Sequence, residues 1–236
     1  MERDRSQARW QAQRRVEPVH FNYRVLHNNN LDYMYFFVIG LGLIALQNGV
    51  LLSVAAGLLY KGQPLTKAER RLSCLFYWLV KSGVYIALGM AAYELFLLLA
   101  RFAFAVPLRG SLWQLRLLGL AFIFCLSQMG GALALLAKDE LVFSRWAIFY
   151  TVPAFMLSGY TWPLEAMPAG VRFLAACSPF TYLAGTAREL MLKGGSEDFA
   201  FNTALLFGFG TVGLALTVWL LVRRKCCGIN ALAEKG

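Results

Sequence analysis

Apolar positions along the 236 residues gather into five long runs, at about 33–60, 75–100, 112–137, 142–160 and 201–222, with the polar positions between them. Each run is close to or beyond the roughly 20 residues that a helix needs to cross about 30 Å of hydrocarbon. The pattern predicts five membrane-spanning helices in an all-α bundle, and five crossings put the two ends of the chain on opposite sides. The stretch 161–200 follows a different rule. Pro163, Pro168 and Pro179 interrupt it, while "VRFLAAC" and "FTYLAGTARELML" stay half apolar, which predicts short amphipathic helices. Ser178 before Pro179 reads as an N-cap with proline at the first helical position, and Gly194 after Lys193 reads as a helix stop. Leu183, Ala187, Leu190 and Met191 share one face of that helix. Too short to span, it is expected to lie at the interface or to return into the bundle.

Composition agrees with a membrane setting: 58% of residues are hydrophobic, 14% aromatic and only 15% charged. In a soluble protein a net charge of +10 would suggest nucleic acid. Here Lys and Arg cluster in the N-terminal arm and at the ends of apolar runs, so anionic lipid is the expected contact, not nucleic acid. Cys74, Cys125, Cys177, Cys226 and Cys227 have no metal-ligand spacing and read as free thiols. The opening "MERDRSQARWQAQRR" has neither an apolar core nor a small-residue cleavage site, so no signal peptide is expected.

Within the runs, Ala45, Gly49, Ser53 and Gly57 recur every four residues, a ridge that lets another helix approach closely. The competing reading is that small residues are common in membrane helices. Gln47, Asn48, Lys81, Glu94 and Gln128 are the polar groups at membrane depth, where an ionisable side chain marks function by default. Lys81 is also near enough to a run's end to snorkel, and Glu94 reads equally as a paired structural group.

The search for catalytic constellations mostly eliminates. His20 and His27 are the only histidines and both precede the first run, so a serine-protease base and histidine metal or haem ligands at membrane depth are excluded. "GLLYKGQP" from Gly57 has two glycines at P-loop spacing, but Gln63 and Pro64 stand where Lys and Ser/Thr are needed. The chain is therefore not expected to hydrolyse nucleotide or to carry a metal or cofactor, and energy for work comes from an ion gradient or a separate subunit.

Residues 157–195, "LSGYTWPLEAMPAGVRFLAACSPFTYLAGTARELMLKGG", resemble the membrane subunits of ATP-binding-cassette exporters, the type-2 permeases that include drug-efflux and polysaccharide-export components. In that family a penultimate span ends in Ser-Gly. A proline, an acidic residue, Met-Pro, a short helix, a proline and a second helix ending in Arg and Leu-Lys-Gly follow. Ser158, Gly159, Pro163, Glu165, Met167, Pro168, Pro179, Arg188, Leu192, Lys193 and Gly194 match in order. "RVLHNNNLDYMYFFVIGLG" resembles the start of the family's second span and "FAFAVPLRGSL" the segment after its third, so the resemblance runs from about residue 22 onward.

The resemblance implies a permease subunit, itself not an enzyme, paired as a homodimer or with a related half in a bacterial inner membrane. It would export an amphipathic or hydrophobic substrate with ATP hydrolysed on a partner cassette ATPase. It also implies that 161–195 is a re-entrant hairpin lidding the route on the extracytoplasmic side, tolerated there because protein or a watery cavity buries the irregular backbone. Tyr160 and Trp162 then sit as an interfacial belt, Glu165 and Lys193 at a wet rim, and Met167 and Phe173 are shielded. A plain loop dipping into the headgroups is the competing reading. Residues 1–32 are expected to be a basic remnant of the family's extracytoplasmic domain, its first span missing, and 33–236 the permease domain. The family's acidic coupling segment is replaced by "LYKGQPLTKAERRLS", in which Lys61, Lys67, Arg70 and Arg71 are the expected ATPase contacts. Their charge makes this loop cytoplasmic, as does that of the "RRKCC" tail, which places the N-terminus outside although its own arginines argue the reverse. The alternative function is an accessory or degenerate membrane protein that binds a partner permease without transporting.

Overall fold

The computed structural model describes residues 33–59, 74–137 and 139–233, all within the second of two units, Asp32–Gly236. They form α1 (Tyr33–Leu59), α2 (Cys74–Phe102), α3 (Leu112–Leu136), α4 (Glu140–Leu157), a 3₁₀ turn (Leu164–Ala166), α5 (Ala169–Ala176), α6 (Pro179–Leu192) and α7 (Phe199–Ala233), with no strand among the described residues. The fold is the all-α bundle that the apolar runs predict.

Four of these helices are long and apolar enough to cross a membrane: Phe37–Leu59, Leu75–Phe102, Leu112–Leu136 and Phe199–Arg223. The fifth expected span, α4, is not among them. Glu140, Ser144, Arg145, Thr151 and Pro153 dilute its apolar content, and its 18 residues make a rod of about 27 Å. Its start is anchored by Asp139, whose carboxylate accepts from the backbone N–H of Val142 at 2.8 Å.

Helix α3 is the centre of the bundle. Leu115, Leu118, Phe122 and Ile123 are fully buried there, and α1, α6 and α7 pack around them. Lipid tails are as apolar as these side chains, so close packing and interhelical hydrogen bonds hold the helices together. Along the seam with α7, a Cβ at Gly210 would stand 2.4 Å from the Phe124 ring and one at Gly213 2.9 Å from the Met129 nitrogen, so glycine sets the interhelical distance. Gln128 on α3 ties three helices. Its amide oxygen accepts from Trp78 Nε1 of α2 at 2.5 Å, and its backbone carbonyl accepts from Thr217 of α7 at 2.8 Å. On the other flank Thr151 of α4 donates to Asn48 Oδ1 at 2.8 Å and accepts from Gln47 Nε2 at 3.3 Å, joining α4 to α1. Such bonds average about 0.6 kcal/mol each in membrane bundles.

The ionisable groups at depth have partners. Glu94 receives both Nε and Nη2 of Arg116, at 2.7 and 3.1 Å, and Lys81 reaches the Tyr77 hydroxyl one turn back at 3.0 Å. Glu94 is thus paired between α2 and α3, and Lys81 is bonded within its own helix.

Candidate functional site

The family motif occupies the segment between α4 and α7, and each conspicuous residue has a local reason. Ser158 caps α4, its hydroxyl donating to the Phe155 carbonyl at 2.7 Å and accepting from the Tyr160 N–H at 3.3 Å. Gly159 then turns the chain at φ 77°, where a Cβ would also meet Leu164 Cγ at 2.7 Å. Pro163 and Pro168, with φ of −57° and −55°, stand immediately before the 3₁₀ turn and α5. Pro179 opens α6 at its first turn. Gly194 leaves α6 at φ 94°, donating its N–H to the Glu189 carbonyl at 3.2 Å.

Helix α6 is inserted into the bundle. Leu183, Ala187, Leu190 and Met191 are each no more than 1% exposed, so the face read from the sequence is the buried one. Phe180 sits edge-on to Phe122 of α3 and Phe155 of α4, with ring centroids 6.3 and 6.2 Å apart. The loop between α2 and α3 clasps the end of α6: Arg109 N–H donates to the Met191 carbonyl at 3.0 Å, and a Cβ at Gly110 would stand 2.4 Å from the Leu190 carbonyl oxygen. Nothing in the sequence pattern singles out Gly110, since a lone loop glycine carries no local signal.

Three expectations need correction. Tyr160 is no member of an interfacial belt. It is 3% exposed, its ring lodged at Gly40 of α1, where a Cβ would approach it to 2.7 Å, and tilted against Phe155 with the centroids 5.6 Å apart. Trp162, by contrast, is exposed. Ser178 occupies the N-cap position without capping, because its hydroxyl is hydrogen-bonded to that of Tyr150 at 3.1 Å. Met167 is buried while Glu165 and Lys193 are exposed, yet Phe173 is 69% exposed, because α5 turns it away from the rest of the chain.

Several charged groups meet at the end of α6. Glu189 accepts from Lys193 Nζ at 2.7 Å and from the Ser196 hydroxyl at 2.8 Å, bridging the end of α6 to the linker before α7. Burial pushes its carboxyl up, but the two hydrogen bonds and the charges of Lys193 and Arg188 outweigh that and leave it below the ordinary carboxylate range. Arg188 lies over the Tyr160 ring at 5.3 Å. Asn202 of α7 donates to Thr186 at 2.7 Å. Between α6 and the 158–165 turn, Tyr160, Thr186, Arg188, Glu189 and Asn202 border a cavity of about 530 Å³.

The small-residue ridge lies on a second surface. Ala45 and Gly49 are exposed, Ser53 is half-buried, and a Cβ at Gly49 would meet nothing within 4 Å. At the other end of the ridge a Cβ at Gly57 would meet the Tyr85 hydroxyl of α2. The first three ridge residues line an apolar groove of about 800 Å³ between α1 and α2. Lys61, Lys67, Arg70, Arg71 and the arm 1–32 lie outside the described residues.

The model of a family described as ABC-2 family transporter protein matches residues 5–219. Among curated proteins, the chain is 26% identical over 204 residues to the probable multidrug ABC transporter permease YbhR of Escherichia coli strain K12, covering 84% of this chain and 55% of that protein. It is 29% identical over 143 residues to the probable multidrug ABC transporter permease YbhS of the same strain, covering 60% and 38%. The inner membrane transport permease YhhJ is 28% identical over 136 residues, covering 57% and 36%. The chain thus spans between about a third and just over half of these relatives' lengths. No solved structure matches it.

Proposed function

Since the chain belongs to the ABC-2 family of transporter proteins, we propose that it is the membrane-spanning permease subunit of an ABC exporter. It moves an amphipathic or hydrophobic substrate out of the cytoplasm with ATP hydrolysed by a separate cassette ATPase. The observation that carries this reading is the 158–194 segment: two helices and a 3₁₀ turn, closed by two positive-φ glycines, that follow a bundle of apolar helices without being able to cross a membrane themselves. The buried face of α6 and the clasp from Arg109 support a re-entrant hairpin that lids the route, in preference to a loop resting in the headgroups. In this arrangement α4, at about 27 Å the shortest and most polar of the five, also crosses, so that the hairpin is extracytoplasmic, the loop with Lys61, Lys67, Arg70 and Arg71 is cytoplasmic and meets the ATPase, and the N-terminus lies outside in a bacterial inner membrane. The unfilled surface at Ala45, Gly49 and Ser53 favours a second permease half against α1. Two relatives are named as probable multidrug permeases, which fits a substrate of drug-like apolar character.

The loop sequence "LYKGQPLTKAERRLS" favours a second reading, because it lacks the acidic coupling segment expected of the family. A chain that binds a partner permease without coupling to ATP would look the same there. Co-expression with a neighbouring cassette ATPase separates the two. Co-purification that is lost when Lys67, Arg70 and Arg71 are all replaced by Glu, together with substrate-stimulated ATP hydrolysis, is expected of the permease. Intact co-purification in the triple variant, or hydrolysis indifferent to substrate, refutes it.

A further inference from the structure

The cavity between α6 and the 158–165 turn has a chemistry of its own. At about 530 Å³ it falls in the range of small-molecule sites. Glu165, Glu189 and Asp198 face Arg188 across it, so this lining is acidic in a chain whose net charge is +10. The acid is not all spent internally: Glu189 is held by Lys193 and Ser196, whereas Glu165 and Asp198 have no ion-pair partner among the described residues. Arg188 lies over the face of Tyr160, which lines the same cavity, and its single positive charge leaves the unpaired acid in excess. The walls add apolar surface, with Trp162 exposed beside Glu165, and Tyr182, whose ring rests 6.0 Å from Phe209. Two unpaired carboxylates beside aromatic rings suit a positive charge that carries an apolar body, since the rings attract the cation and cover its hydrocarbon.

We propose that this cavity is a binding site for an organic cation, a protonated or quaternary amine with an apolar body. As a station for exported cargo it rests on the permease reading, while binding itself does not depend on it. The full chain in dodecyl maltoside is titrated with ethidium and followed by fluorescence anisotropy. Saturable binding is expected, weakened about ten-fold in the double variant Glu165→Gln/Asp198→Asn and reduced by salt, because each exposed pair contributes modestly and is screened. Both carboxylates are exposed and unpaired, so the double variant keeps the parent's elution profile and melting temperature. Glu165→Lys should abolish ethidium binding and admit the anionic dye anilinonaphthalene sulfonate. Displacement of ethidium by dihexanoyl phosphatidylethanolamine identifies the amine as a lipid headgroup, and displacement by benzalkonium alone identifies a free amphiphile; either supports the site. Unchanged ethidium affinity in both variants, or displacement by the anionic dye from the parent, overturns it. Loss of the site with ATP-driven transport intact fails this inference alone, whereas cation binding in a chain that never stimulates an ATPase fails the permease reading alone.

Discussion

Replacing Gly159 with Ala introduces two separable costs at the start of the hairpin. The first is backbone: φ is 77°, where an L-residue is about 1 to 2 kcal/mol less stable than glycine. The second is steric, because the new Cβ would stand 2.7 Å from Leu164 Cγ and 3.1 Å from its Cδ1, an overpacking of the kind that costs about 1 to 3 kcal/mol. Cγ is too near the backbone of Leu164 to swing clear. Together they amount to about 2 to 5 kcal/mol, which for a chain of this size lowers the melting temperature by roughly 4 to 20 °C. A double-mutant cycle separates the two. In a Leu164→Ala background the steric part vanishes and Gly159→Ala should cost only the backbone part, so the two substitutions are coupled by about 1 to 3 kcal/mol. Scanning fluorimetry of the four proteins in dodecyl maltoside reads this directly. Additive shifts would mean that Leu164 does not pack on Gly159, and a neutral Gly159→Ala would mean that the turn is not left-handed.

Gly110→Ala should push the α2–α3 loop off α6, since its Cβ would stand 2.4 Å from the Leu190 carbonyl oxygen, at a cost of about 1 to 3 kcal/mol; hydrogen exchange at the Arg109 amide, bonded to Met191, should accelerate, and unchanged protection refutes the clasp. Glu189 has a lowered pKa, so its stabilisation of the α6 end is complete above the ordinary carboxylate value of 4.5 and is lost as pH falls through the folded value. Protection of the Lys193 and Gly194 amides, taken relative to their intrinsic base-catalysed exchange at each pH, should therefore fall on acidification in the parent and not in Glu189→Gln. Because a Cβ at Gly49 meets nothing within 4 Å among the described residues, Gly49→Leu should leave the monomer's melting temperature unchanged while lowering the dimer fraction in detergent; a destabilised monomer would contradict the outward placement of the ridge.

The parts of the segment that were legible in sequence are those with a local cause. Gly194 after Lys193 signals a left-handed stop, Pro179 signals a helix start, and the spacing of Leu183, Ala187, Leu190 and Met191 signals one buried face, because backbone preference and helical period act within a few residues. Tyr160 was not legible. An aromatic residue beside a broken apolar run reads as an interfacial anchor, and only the distant Gly40 provides the notch that buries it. Ser178 failed for a related reason, its hydroxyl being drawn to Tyr150 on another helix. The polar ties through Gln47 and Gln128 were visible as residues at depth, but their partners Thr151, Trp78 and Thr217 were fixed by helix packing. Asp198 carries no pattern of its own; only the return of α7 past α6 sets it across the cavity from Glu165.

The proposed function rests on the segment 158–194 being an extracytoplasmic hairpin inserted into the permease. Single cysteines placed at 165, 167 and 193 in full-length chain lacking its five native cysteines, and treated with a membrane-impermeant maleimide on intact spheroplasts, test this most directly. Strong labelling at 165 and 193 with weak labelling at the buried position 167 is the expected result. Equal labelling at all three would make the segment a solvated loop, and labelling that requires broken membranes would put it on the cytoplasmic side and contradict the account.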